Sequence, residues 1–411
     1  MIVWVSTGSY TDQYPVSFGG IQTGEFSVLE EFARQRLIKP LHLVVIGQSG
    51  QKKEEKLFRG NLQVHRILKP YPFGSSTDTE FRTAFAIEAK KIVHKLLVEN
   101  KIKVIQLCST VPARCFMEWD IHDSFSGRKK PKFVYSVHNA LTLAGKPAGS
   151  FVSKADEWHI QKKAELEVIK RADKVICTSK SFKDFISKKY SFKNNLFFIP
   201  NTVGPSSFFE KINRLENPQW SKTILCLGRL SKEKRVDRVI EAFKILIQKG
   251  LNYSLVIAGD GEQKEEIRKL ISINHLNFSN SLNLLPKTVH MIGMITGIAK
   301  WRILRSSRVI ACLSDYEVSP LVGYESLALG VPIVASDLDQ WKELVDHGRN
   351  GFIVDRFKCQ EIANCLAKIL ESDEIYSKMS FYSRREYKEK YDSRIITQKR
   401  YKLIYKSLLE N

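Results

Sequence analysis

Short runs of β-branched and aliphatic residues alternate with segments of helical period along nearly the whole chain, and this alternation restricts the fold more than any other feature. In the first half the strand-like runs are Ile2 to Val5, Leu41 to Ile46, Leu62 to Ile67, Val104 to Leu107, Phe133 to Val137, Val175 to Thr178 and Leu196 to Ile199. Helical period fills Glu25 to Leu37, Phe81 to Asn100 and Gln161 to Arg171. Parallel strands need long crossovers, and helices are the usual ones, so the pattern predicts an α/β fold with a parallel sheet covered on both faces. The second half restarts the pattern. Its strands are Thr223 to Leu227, Ser254 to Ala258, Val289 to Ile292, Val309 to Leu313, Ile333 to Ala335 and Gly351 to Val354. Its helices are Val236 to Gln248, Gln263 to Leu270, Ile298 to Leu304 and Leu321 to Leu329. Between the halves, residues 204–220 are polar and carry the breakers Gly204, Pro205 and Pro218, which predicts a linker. The expected organisation is a first domain over 1–203, a linker over 204–220 and a second domain over 221–384. A C-terminal helical stretch over about 385–411 is expected to cross back to the first domain.

A chain of 411 residues with 43% hydrophobic content can bury two cores of this size. No run approaches the roughly 18 apolar residues that span a bilayer, and the start MIVWVSTGSY has no basic n-region, so a cytoplasmic protein is expected. The seven cysteines show no CxxC spacing and sit mostly in apolar runs, as reduced core residues do. A net charge of +21 implies an anionic partner, either phosphorylated substrates or a membrane surface at the inner face of the plasma membrane. A lysine-rich codon bias produces the same excess. No helix-turn-helix, zinc-finger or aromatic-interleaved basic motif appears, so no nucleic acid is expected as a partner.

The segment YEVSPLVGYESLALGVPIVAS, from Tyr316 to Ser336, holds two carboxylates, Glu317 and Glu325, eight positions apart around a helix start. Ser319 suits the N-cap and Pro320 the first helical position, leaving the amides of Leu321, Val322 and Gly323 to face an anion. Glu325 has Leu321, Val322, Ala328 and Leu329 as its helical neighbours, so its carboxylate emerges on the face that should be buried. It is there either to grip a ligand or to form an internal ion pair. GRLSKEKRVD, from Gly228 to Asp237, follows a strand and precedes a helix, which puts Arg229 and Lys234 at the carboxyl end of the sheet, where open α/β sheets bind ligands. The pair suits a diphosphate, although such loops are also common as solvated turns. GDGE, from Gly259 to Glu262, is a tight turn ending the next strand. Gly19 and Gly20 precede the first long helix, and His138 directly follows a strand; it is either a site residue or the structural cap of a turn.

The order GG, VH, PN, GRLxxxK, GDG and E-x7-E resembles the retaining glycosyltransferases of family 4, with the specific part of the match between residues 221 and 355. The resemblance implies the GT-B fold, two Rossmann-like domains facing across a cleft. It implies that Arg229 and Lys234 hold the donor diphosphate, that Glu317 meets sugar hydroxyls and that Glu325 meets the ribose hydroxyls. It likewise places Gly19, Gly20 and His138 beside the reacting sugar, with Arg229, Lys234, Glu317 and His138 as the catalytic set. Ser319, Leu321, Val322, Ile292 and Met294 would complete the donor side through backbone groups, and Asn139 and Asn201 would lie on the acceptor side. The donor implied is a UDP- or GDP-linked sugar, and the acceptor a sugar, lipid-linked or small-molecule hydroxyl. No metal or other cofactor is expected, since Arg229, Lys234 and the helix amides can take up the charge on the departing diphosphate. Asp337-Leu338-Asp339 has the spacing of a metal pair but falls in what the resemblance makes a backbone loop. A sugar-nucleotide epimerase or glycoside phosphorylase would share the two-domain plan. A non-catalytic basic protein for membranes or nucleic acid would have no use for the two glutamates together with Arg229 and Lys234.

Overall fold

The computed structural model describes residues 1–9, 20–48, 50–68, 79–99, 102–118, 130–138, 155–192, 195–214, 222–281 and 283–410. The chain forms two compact units, one of Met1–Lys146, Phe151–Thr202 and Ser393–Asn411, the other of Pro147–Ser150 and Val203–Asp392. Each is an α/β unit with its own sheet.

The first unit is built on β1 (Ile2–Ser9), β2 (Leu41–Ile46), β3 (Glu54–Leu57), β4 (Leu62–Ile67), β5 (Val104–Leu107), β6 (Lys132–Val137), β7 (Lys174–Cys177) and β8 (Leu196–Phe198), in the order β3-β4-β2-β1-β5-β6-β7-β8. The expectation of a wholly parallel sheet is corrected at one edge, where β3 pairs antiparallel with β4. Its sequence EEKL has neither β-branched residues nor a buried face, so hydrophobic periodicity carried no sign of it. Elsewhere the strands pair in parallel and are buried along most of their length, as a sheet covered on two sides requires. Ile2, Trp4, Leu41, Leu43 and Val45 pack against Phe26, Leu29 and Phe32 of the helix Gly20–Gln35. The helix Thr79–Glu99 packs on β1, β2 and β4. The last segment is part of this core: the helix Ser393–Arg400 packs on the helix Gly20–Gln35, and the Tyr405 ring lies 5.7 Å from Trp4 and 5.5 Å from Phe32. The Tyr405 hydroxyl donates to Gln106 Oε1 at 2.6 Å, which satisfies two buried polar groups at once.

The second unit carries β9 (Thr223–Leu227), β10 (Ser254–Ala258), β11 (Asn277–Ser279), β12 (Thr288–Gly293), β13 (Val309–Cys312), β14 (Ile333–Ser336) and β15 (Gly351–Val354), in the order β11-β12-β10-β9-β13-β14-β15 and all parallel. The linker expected over 204–220 is corrected in its first part. Ser206–Arg214 is a helix of this unit, because Phe209 and Ile212 turn inward; Phe209 sits 5.1 Å from Trp301 and 5.6 Å from Tyr387. Burying one such phenylalanine stabilises by ~1.5–3 kcal/mol, enough to outweigh the polar residues around it. The rest of that stretch, 215–220, lies outside the described residues. The C-terminal segment joins the first unit from Ser393 rather than from about 385. Residues before that point are held by Tyr387, whose hydroxyl donates to Gly204 O at 2.6 Å.

The strand order decides where chemistry can occur. From β9 the chain runs outward to β10 and β12, then returns to the other side of β9 as β13. The loops after β9 and β13 therefore part in opposite directions and leave a crevice at their carboxyl ends, the place where open α/β sheets bind ligands.

Candidate functional site

The loop after β9 brings Arg229 and Lys234 to that crevice, and the loop after β13 brings Glu317. Lys234 ends a short 3₁₀ turn, Lys232–Lys234, and its Nζ donates to Glu317 Oε1 at 2.8 Å. The lysine is 30% exposed and the glutamate 10%, so the pair is screened from bulk water yet open to a ligand. Burial opposes the charge on Lys234, but Glu317 beside it outweighs burial and holds its pKa above the ordinary lysine value. Arg229 lies 3.7 Å from Glu233. Burial draws its pKa down, and Glu233, Glu262 and Glu317 oppose that, so one field joins Arg229 to the Lys234 partner.

The GDGE turn has a larger part than its sequence suggested. Gly228 N donates to Ala258 O at 3.0 Å, Leu230 N to Asp260 O at 2.9 Å, and Gln263 N to Leu230 O at 2.9 Å, so the turn is laced to the loop that carries Arg229. Gly259, at φ +155°, has no room for a side chain: a Cβ there would stand 1.7 Å from Gly228 O. The turn positions the arginine loop.

The helix after β13 runs Leu321–Leu329, and its start differs from expectation. Pro320, not Ser319, occupies the N-cap position, with φ −70° and ψ 107°. The Ser319 hydroxyl lies 3.3 Å from the Tyr324 hydroxyl, and Gly323 N donates to Pro320 O at 3.0 Å. Of the three amides expected to face an anion, those of Leu321 and Val322 therefore remain. Glu325 is on the buried face, 2% exposed, and its carboxylate forms an ion pair with Lys300 of the helix Gly297–Ser306. Both readings of Glu325 left open by the sequence thus keep a footing. Ile292 is partly buried at the end of β12, whereas Met294 is 69% exposed just beyond it.

In the first unit, Glu25 organises the surroundings of His138. It accepts two hydrogen bonds from Arg400, at 2.8 and 2.6 Å, and one from Trp4 Nε1 at 3.0 Å. Burial would raise its pKa, yet Arg400 and then His138 outweigh burial and hold it well below the usual carboxylate range. An ionised carboxylate only accepts, so His138 Nε2, 2.7 Å from Glu25 Oε1, carries a proton, and Nδ1 is the nitrogen left over. The His138 side chain is 2% exposed, and Nδ1 has no partner among the described residues. Asn201 is 7% exposed and lies against Gly24, where a Cβ would stand 3.2 Å from its Oδ1. Gly19 and Asn139 lie outside the described residues, and Gly20 is known only as the first residue of its helix.

Sequence reasoning missed Glu25, Arg400 and Lys300. The argument that singled out Glu325 applies equally to Glu25, which has Val28 and Leu29 three and four positions on. It applies also to Lys300, with Ile303 and Leu304. Arg400 carries the same sign within a basic tail, with Ile396, Leu403 and Ile404 at those spacings.

The lysine–glutamate pair and Arg229 at the switch point are chemistry suited to a diphosphate. A family model described as Glycosyltransferase Family 4 matches residues 18–206, and one described as Glycosyl transferases group 1 matches residues 207–386. An uncharacterized glycosyltransferase of Haemophilus influenzae is 32% identical over 216 residues, 52% of this chain and 56% of that protein. The amylovoran biosynthesis glycosyltransferase AmsD of Erwinia amylovora is 25% identical over 207 residues, 50% of this chain and 54% of that one. The matched region thus spans about half the length of these curated relatives. HepE of Anabaena, solved in complex with UDP-glucose, superposes with a TM-score of 0.65 at 16% identity over 97% of both chains, a likeness of fold. Between them the two family models account for residues 18–386, and the chain belongs to glycosyltransferase family 4, the glycosyl transferases group 1, on the GT-B fold.

Proposed function

We propose that this protein transfers a hexosyl group, with retention, from a UDP- or GDP-linked sugar to an acceptor hydroxyl in the assembly of a surface polysaccharide or glycoconjugate. The observation that carries the reading is the Lys234–Glu317 ion pair beside Arg229 at the β9/β13 crevice. As the anomeric bond breaks, negative charge grows on the departing diphosphate. Fixed cations aimed at it then gain strength in the transition state, without reorganising. Arg229 offers a planar fork, Lys234 a compact charge, and the amides of Leu321 and Val322 the positive end of a helix. Glu317 holds Lys234 in place before the donor arrives and is free to meet sugar hydroxyls once the diphosphate takes the ammonium. With these cations present, the proposed reaction needs no metal. Glu25 fixes the proton of His138 on Nε2, so the imidazole would offer Nδ1 as an acceptor toward the sugar.

The acceptor is proposed to be a sugar or lipid-linked hydroxyl near an anionic surface, which accords with the net charge of +21 and with Lys180, Lys183, Lys188 and Lys189 on one short helix. The amylovoran enzyme among the relatives supports a polysaccharide setting. Thermal melts with UDP, GDP, ADP and dTDP identify the donor base, since a ligand at a hundred times its Kd stabilises by ~2.7 kcal/mol. Turnover of the matching nucleotide-sugars is then followed with and without EDTA, and the anomeric proton of the product is read by NMR. Stabilisation by none of the four would defeat the reading.

A further inference from the structure

The ion pair between Lys300 and Glu325 gives the second glutamate of the E-x7-E segment a partner of unlike charge that the sequence did not announce. Lys300 stands in the first turn of the helix Gly297–Ser306, where the helix dipole disfavours a cation and where no acid of that turn compensates it. Its place is explained by Glu325. The carboxylate is 2% exposed and the lysine 23%, so the more accessible member of the pair is the ammonium. No other hydrogen bond to the Glu325 carboxylate occurs among the described residues, and Oε1 carries the pair, which leaves Oε2 as an acceptor. Two and six residues before Lys300, Ile298 and Met294 are 47% and 69% exposed, apolar side chains that suit a base.

We infer that Lys300 and Glu325 act together as the ribose-reading couple of the donor site, with Lys300 a specificity-determining residue. The inference rests on the donor-site reading above and adds the group that tells ribose from its deoxy forms. A lone carboxylate only accepts, whereas each ribose hydroxyl both donates and accepts. An ammonium has three donors, and Glu325 uses one. A hydroxyl set between the two can donate to Glu325 Oε2 and accept from Lys300, so both of its capacities are met. A nucleotide without that hydroxyl leaves two charged groups facing a void, and hydrogen bonds to charged groups are those whose loss costs most.

The test is titration calorimetry with UDP or GDP, whichever the melts identify, against its 2′-deoxy and 3′-deoxy analogues. Wild type is expected to prefer the ribonucleotide over at least one deoxy form by about 10- to 100-fold. Lys300→Met is expected to narrow that ratio to below about threefold, and Lys300→Arg, which keeps a cationic donor, to restore most of it. A merely structural lysine would weaken all three ligands alike and leave the ratio unchanged; that result overturns the assignment. Should Lys300→Met not fold, Lys300→Gln removes the charge without removing every donor, and at least a threefold narrowing is required of it. If wild type binds no nucleoside diphosphate, the donor reading itself fails; if it binds and the ratio survives in the variants, only Lys300 is dismissed.

Discussion

Replacing Glu25 by leucine is expected to destabilise the first unit severely, and replacing Arg400 as well is expected to undo most of the damage. The two side chains are 1% and 3% exposed, and the guanidinium makes both of its charge-assisted bonds to one carboxylate, at 2.8 and 2.6 Å. Glu25→Leu leaves that cation buried without an anion, which costs ~3–5 kcal/mol. Arg400→Leu is milder, ~3 kcal/mol, because Glu25 keeps its hydrogen bonds to Trp4 and His138. The double variant removes both charges and restores apolar packing among Trp4, Phe32 and Tyr405, so its cost should fall to ~2 kcal/mol or less. Hydrogen exchange at the β1 amides, Ile2–Val5, reads the first unit, and exchange at the β13 amides serves as the internal control. Glu25→Leu should speed β1 exchange by roughly 10²-fold to a few thousandfold at unchanged β13 exchange, a tenfold step being about 1.4 kcal/mol. A double variant as unstable as the two single losses added together would refute the reasoning. The pair also has a pH signature. Glu25 titrates well below its ordinary value of 4.5 in the folded unit, so its contribution is complete above that value and is lost as pH falls through the folded pKa.

Lys234→Ala should lower turnover by about 10²- to 10³-fold, the usual cost of one lost electrostatic donor, in a protein that still melts cooperatively; unchanged turnover would remove Lys234 from the mechanism. Gly259→Ala puts a Cβ 1.7 Å from Gly228 O, so the arginine loop must shift, and donor affinity should fall at least tenfold without any ligand contact having been altered; calorimetry decides. His42 and His65 face each other in the first unit with Nδ1 and Nε2 3.1 Å apart, and burial, then His65, then the Met1 amino group hold the His42 pKa down to about 4. The unfolded chain therefore binds a proton that the folded unit refuses between about 6.5 and 4, so stability is complete above 6.5 and drains away through that window as pH falls. His42→Phe should flatten this part of the denaturation profile, and an unaltered slope would show that the pair is not its source.

Which residues form the sheets was legible because hydrophobic periodicity is local. Strands such as Leu41–Ile46 and Ser254–Ala258, and the helix Leu321–Leu329, fall where the pattern put them. The sites were legible to the extent that chemistry and strand ends coincide: a loop after a strand must open at the carboxyl edge, so Arg229, Lys234 and Glu317 could be placed there without coordinates. The edge strand Glu54–Leu57 and the helix Ser206–Arg214 were not, because one has no apolar pattern and the other is helical by virtue of partners, Trp301 and Tyr387, far along the chain.

Pairing across long sequence distances is what only the tertiary structure could decide. Composition and spacing show that Glu25, Glu325, Lys300 and Arg400 are charges in apolar surroundings. They do not show that Glu25 meets a residue 375 positions away or that Glu325 meets one 25 positions before it. A buried charge must find a counter-charge, but which one depends on the order in which strands lie in the sheet, and that order follows from packing the whole chain rather than from any window of it.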